Sequence, residues 1–88
     1  MEKNILVINI GSSSKKYSLY KGETLLFGAH FESDKEKFEV TYDKEETQVI
    51  DEEIFIKSLQ AFYKTLKIRN IIDENNIVEA IGIRLVAP

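Results

Sequence analysis

The chain is 88 residues long, with 12 Lys and Arg against 15 Asp and Glu for a net charge of −3, and it is 43% hydrophobic and 31% charged. Those figures describe one small globular unit and exclude a two-lobed enzyme, a disordered chain or a fibre. The absence of cysteine and a single histidine, His30, exclude a disulfide scaffold and a thiolate or His-rich metal centre, and leave a Ser-His-Asp triad without support.

Asn4–Ile10 opens with a β-branched and aliphatic run that predicts a strand buried on both faces. The run Ile5–Ile8 is the longest clean apolar stretch. It is far short of the ~20 residues a membrane span needs, and also of a secretory h-region. Charges are interspersed, so no basic stripe marks a nucleic-acid track. The expected setting is the reducing cytoplasm, with neither membrane nor nucleic acid as a partner.

After the Gly11-Ser12-Ser13-Ser14 loop, Lys16–Tyr20 alternates with period two and predicts a second strand. Lys21-Gly22 reads as a two-residue hairpin turn. Glu23–Glu32 returns as a third strand, with Leu25, Phe27, Ala29 and Phe31 on one face and His30 opposite. A solvated or cross-strand-paired role is assigned to His30, since no catalytic partner is evident for it. Ser33–Lys37 is a charged surface turn. Phe38, Val40 and Tyr42 alternate again, and Thr47–Ile50 can pair with them across a tip at Lys44-Glu45-Glu46.

Asp51 reads as a helix N-cap, with Glu52 and Glu53 in the positive first turn, an explanation simpler than metal chelation. Phe55, Leu59, Phe62 and Leu66 then mark one face of a single amphipathic helix, widened by Ile56 and Tyr63. Tyr17, Tyr42 and Tyr63 are expected at the core or its edge. Asn70–Asn76 is a short turn or loop. Ile77–Val86 is expected to be a buried strand in parallel pairing, which makes the fold mixed α/β. A buried strand so close to Pro88 suggests the opening piece of a larger protein, a single truncated domain over residues 1–88.

The stretch Asn9-Ile10-Gly11-Ser12-Ser13-Ser14-Lys15-Lys16 carries the most chemistry. A Gly/Ser loop between strands can aim several N–H groups at one anion, and hydroxyls and a lysine add donors and charge suited to phosphate. Asn9 offers a carboxamide oxygen to Mg²⁺. The plain alternative is a hairpin with a polar tip, since small polar residues dominate turns. No Walker A pattern follows. Ser12/Lys15 and Ser13/Lys16 satisfy S-x-x-K, but that acyl-enzyme pattern should open a helix and here opens a strand.

These eight residues resemble the N-x-G-S-S-S-x-K phosphate loop that begins acetate kinases, members of the acetate and sugar kinase, heat-shock chaperone and actin superfamily. A second point of resemblance is Glu79–Val86, where Gly82 and Arg84 match the family's A-[VI]-G-H-R-[VI]-V-H-G strand. Ile83 and Ala87 stand where that pattern has histidines, and Pro88 where it has glycine. Butyrate kinases, a sister group, also lack the histidine pair.

The resemblance implies a ribonuclease-H-like lobe, a mixed sheet with a crossover helix. It further implies phosphoryl transfer between ATP and a short carboxylate (acetate + ATP = acetyl phosphate + ADP), with Mg²⁺ and ATP as cofactors and a homodimer in the full-length protein. Carried over, Asn9 would place Mg²⁺ and phosphate. Gly11, Ser12, Ser14 and Lys16 would hold the phosphates, and Arg84 would serve the carboxylate and the transferred phosphoryl group. Family members are several times longer than 88 residues, so this chain alone is expected to be inactive. The alternatives are a non-catalytic nucleotide-binding or regulatory module, a butyrate-kinase-like enzyme, and a β-rich interaction domain whose loop is only a turn.

Overall fold

A computed structural model describes residues 2–85. Six strands form one mixed sheet in the order β5-β4-β3-β2-β1-β6. They are β1 (Asn4–Ile10), β2 (Ser14–Lys21), β3 (Thr24–Asp34), β4 (Lys37–Tyr42), β5 (Gln48–Ile50) and β6 (Ala80–Leu85), with helices α1 (Glu52–Ile56) and α2 (Ser58–Ile68) between β5 and β6. β1 through β5 pair antiparallel in sequence order, and β6 returns beside β1 in parallel, as the apolar closing segment implied. The chain is therefore mixed α/β.

The core lies on one sheet face. Leu6, Ile8, Tyr17, Leu19, Phe27, Ala29, Phe31 and Val40 are buried there beneath Phe62 and Leu66 of α2. Phe62 lies 5.5 Å from the Tyr17 ring and 6.0 Å from that of Phe27, in stacked geometry. Burial of an aromatic or leucine side chain contributes about 1.5–3 kcal/mol, so these two residues anchor the helix to the sheet. Among the described residues, no helix covers the opposite face.

Several expectations are corrected. The two-residue turn is Gly22-Glu23, not Lys21-Gly22: Lys21 pairs with Thr24, and Gly22 takes φ +61° as the first central residue of a II′-type turn does. The register shifts between Leu19 and Tyr20, so that Leu19 faces Phe27 while Tyr20 faces Leu25. Leu26 is the extra residue of this bulge, and it sends Leu25 to the open face, half-exposed, instead of joining Phe27.

The single predicted helix is two. Asp51 caps α1 as expected, accepting from the Ile54 N–H at 2.8 Å. Lys57 then leaves helical geometry at φ −98° and ψ 34° before α2 begins. Phe62 and Leu66 reach the core, but Ile56, Leu59 and Tyr63 stay exposed. Tyr17 is buried and Tyr42 packs against the core, so of the three tyrosines only Tyr63 departs from expectation. α2 ends in a Schellman motif: Asn70 turns left-handed at φ 57°, with Asn70 N–H donating to Lys67 O and Ile71 N–H to Leu66 O. Beyond it, Arg69 forms a two-armed ion pair with Glu45 and lies over the Phe27 and Tyr42 rings, tying the β4–β5 tip to the helix end. The guanidinium holds the Glu45 carboxyl below the usual carboxylate range.

The closing strand was expected to be buried. It begins at Ala80, not Ile77, and every residue of it is exposed, with Ile81 at 58% and Ile83 at 67%. Its predicted last residue, Val86, lies outside the described residues. β6 is an edge strand, and α2 sits over β2 and β3 too far from it to shield its apolar side chains.

Candidate functional site

The alternation of β1 sends Leu6 and Ile8 to the core and Asn9 to the open face. Register then sets Asn9 directly between Arg84 of β6 and Lys16 of β2. Neighbouring strands are about 4.8 Å apart, so three residues distant in sequence stand in one row about 10 Å long. An open hollow of about 560 Å³ lies over this row, lined by Asn9, Gly11, Ser14, Lys16, His30, Arg84 and Leu85. Asn9, Gly11, Ser14, Lys16 and Arg84 are thus brought together as the sequence suggested. Ser12 is exposed at the loop and does not line the hollow.

The loop is a tight one. Gly11 N–H donates to Ser14 O at 2.8 Å, and Ser13 O accepts from Ser33 N–H at 2.9 Å. Gly11 N–H therefore closes the hairpin and is not free for an anion. The donors left to the loop are the Ser12 and Ser13 N–H groups and the serine hydroxyls. Lys15 points the other way, its Nζ donating to Phe55 O at 3.2 Å and lying 4.8 Å from the Phe55 ring centre. It anchors α1, and its omission from the phosphate set is consistent with that.

Among the described residues, neither Lys16 nor Arg84 has a carboxylate within ion-pair distance. Two uncompensated cations facing one hollow make it a region of positive potential. Between them, Asn9 Oδ1 is buried, with less than 1 Å² exposed and no hydrogen-bond donor. A buried carboxamide oxygen without a partner is the kind of hard ligand Mg²⁺ accepts, and Mg²⁺ takes most of its shell from water and phosphate. Among the described residues, no cluster of three or more acidic or histidine side chains could hold a metal unaided. Any cation here would be held chiefly by its ligand's own oxygens.

With the loop, the row and the hollow in place, the comparison with known sequences is decisive. The chain matches the acetokinase family over residues 4–88. It belongs to that family. No curated protein matches it in sequence. Membership makes it a kinase-like phosphotransferase domain. One departure from the acetokinase strand pattern, Ile83, falls away from the hollow: it pairs with Ile8, on the helix-side face opposite Arg84. Ala87 and Pro88, the other two departures, lie outside the described residues. Among the described residues, no helix is long and apolar enough to cross a membrane.

Sequence reading missed the placement of His30. It lies directly across from Lys16, and its Nδ1 is 3.2 Å from Glu32 Oε1. Cross-strand pairing was one of the roles assigned to it, but its entry into the hollow depends on the β3 bulge, which no residue type announces.

Proposed function

We propose that this chain forms the phosphate-and-carboxylate wall of an acetate-kinase-like site, in a ribonuclease-H-like lobe, moving a phosphoryl group between ATP and a short carboxylate. The observation that carries the reading is the Arg84–Asn9–Lys16 row across β6, β1 and β2. The parallel β1–β6 pair beside an antiparallel β1–β2–β3 meander supports the lobe assignment.

Phosphoryl transfer asks the protein mainly for positioning and charge neutralisation. Lys16, a flexible point charge on β2, steers the phosphates with the Ser14 hydroxyl in the hollow and the Ser12 hydroxyl on the loop beside it. Arg84 presents a planar fork suited to two oxygens at once, so it orients the carboxylate and stabilises charge on the phosphoryl group in flight. Asn9 would hold Mg²⁺ through Oδ1, and the ion would supply charge neutralisation on the phosphate oxygens. ATP and acetate are the ligands this reading assigns, with a homodimer in the full-length protein and a cytoplasmic setting. The hollow is open on one side and cannot exclude water from an acyl phosphate, so the 88 residues alone are expected to be inactive.

A hydroxamate trap for acyl phosphate, run on the full native gene product with Mg-ATP and a panel of short carboxylates, tests this. Acyl hydroxamate from acetate is expected, and Arg84→Ala should lower kcat about 10²–10³-fold. Product from butyrate alone would move the acceptor to a longer acid. No product with any acid, alongside retained nucleotide binding, would replace the kinase with a non-catalytic nucleotide-binding module.

A further inference from the structure

A second polar hollow adjoins the first on the open sheet face, lined by Ser18, Tyr20, Gly28, Thr41 and Lys44 among others, and Lys16 and His30 line both. His30 stands at the boundary. It lies across from Lys16 on one side and Thr41 on the other, so it extends the Arg84–Asn9–Lys16 row onto a fourth strand, to about 14 Å in all. Its side chain is 44% exposed, and its Nδ1 is engaged by Glu32 at 3.2 Å. That contact orients the ring and leaves Nε2 to other partners.

We propose that His30 is a phosphate-contacting residue, donating from Nε2 to a phosphoryl oxygen shared with Lys16. The inference rests on the phosphate reading of the hollow and adds to it a ligand that the loop motif does not contain. With Nδ1 engaged by Glu32, Nε2 is the ring atom left to meet a phosphoryl oxygen, which sets the ring between two anionic partners. The other charged groups that line the two hollows with His30 are Lys16 and Arg84 in the first, and Lys16, Asp43 and Lys44 in the second. Lys16 and His30 together can grip one phosphoryl group from two sides, where Lys16 alone fixes only distance.

The test is calorimetric titration of the full chain with tripolyphosphate, alongside proton NMR of the His30 ring, whose signals are assigned by their loss in His30→Phe. A saturable ring shift is expected, with about tenfold weaker binding in His30→Phe, and Lys16→Ala weakened as well. The His30→Phe, Glu32→Gln double variant checks that the loss is not repulsion from an unpaired Glu32. It should remain weak, and recovery of wild-type affinity would overturn the proposal. Binding that Lys16→Ala weakens but His30→Phe leaves intact overturns the role of His30 alone. No binding of tripolyphosphate to the unaltered chain overturns both this role and the phosphate reading. Inorganic phosphate, titrated in parallel, separates a single-phosphoryl grip, which shifts the ring on its own, from one that needs the longer chain; a ring unmoved by either also overturns the role.

Discussion

At the scale of single residues, the most consequential polar contact lies inside the core. The Tyr17 hydroxyl and Ser58 Oγ are 2.5 Å apart, with Tyr17 3% exposed and Ser58 fully buried. Each satisfies the other, and together they join β2 to the first turn of α2, just past the break at Lys57. Tyr17→Phe leaves a buried hydroxyl without a partner and should cost about 1–3 kcal/mol, as should Ser58→Ala. The double variant removes both polar groups and should cost clearly less than the sum, a coupling measurable by urea denaturation. Burial raises the Tyr17 pKa, opposed in part by the Ser58 bond. A raised folded pKa means this contribution is complete below the ordinary tyrosine value of about 10 and is lost as pH climbs through the folded value. The alkaline limb of the stability curve should therefore be flatter in Tyr17→Phe, and identical limbs would show that Tyr17 ionises as freely folded as unfolded.

At the scale of elements, turns decide what strands can present. Lys35 and Glu36 form the two-residue β3–β4 turn, with φ 47° and 71°. Two side chains in left-handed geometry are the I′ pattern without its preferred Asn-Gly, and each costs about 1 kcal/mol or more relative to glycine. Lys35→Asn with Glu36→Gly should stabilise the chain by about 1–2 kcal/mol, seen as a raised urea midpoint with an unchanged slope. A lowered midpoint would mean that the strands do not impose I′ geometry there.

The same turn shows what could be read in advance. Composition placed a charged surface turn at 33–37, and alternation placed the strands around it. Asp51, Phe62 and Leu66 were legible because capping and helical spacing are written in residue types. The β2–β3 register was not. A turn at Lys21-Gly22 would have set Lys16 across from Phe27, and the real turn without a bulge would have set it across from Ala29. Only the Leu26 bulge brings His30 beside Lys16. Bulges answer to twist and packing across strands, which a single sequence does not encode locally. Asn9, Gly11, Ser14 and Lys16 were legible because their motif is contiguous, whereas Arg84 joins them only through the parallel β1–β6 register. β1, read as buried on both faces, in fact alternates, with Leu6 and Ile8 in the core and Asn9 on the open face.

At the scale of the whole molecule, the core is lopsided. The accessible surface is 6339 Å², against about 5,300 Å² expected for a compact chain of this mass. Some of the exposed apolar surface lies where α2 fails to cover β6: Ile81, Ile83 and Leu85 are all more than half exposed. β6 is therefore held by its ladder with β1 and by one polar clamp. Asn4, 2% exposed, donates from Nδ2 to Asn76 Oδ1 at 2.6 Å and to Ile77 O at 3.0 Å, and its backbone exchanges bonds with Glu79. This clamp sets where β6 starts, and hence which residue of β6 meets Asn9. Slippage by one residue would send Arg84 to the opposite face. Asn4→Ala should therefore act on the site more than on the core. Native-state hydrogen exchange should show amides 80–85 losing most of their protection while Tyr17–Leu19 and Phe27–Phe31 keep theirs, since these lie under Phe62 and Leu66. In the full gene product kcat should fall as in Arg84→Ala, although Asn4 touches no part of the hollow. Uniform loss of protection across all six strands would instead make β6 integral to the core, and the Asn4 clamp a stability element with no separate claim on Arg84.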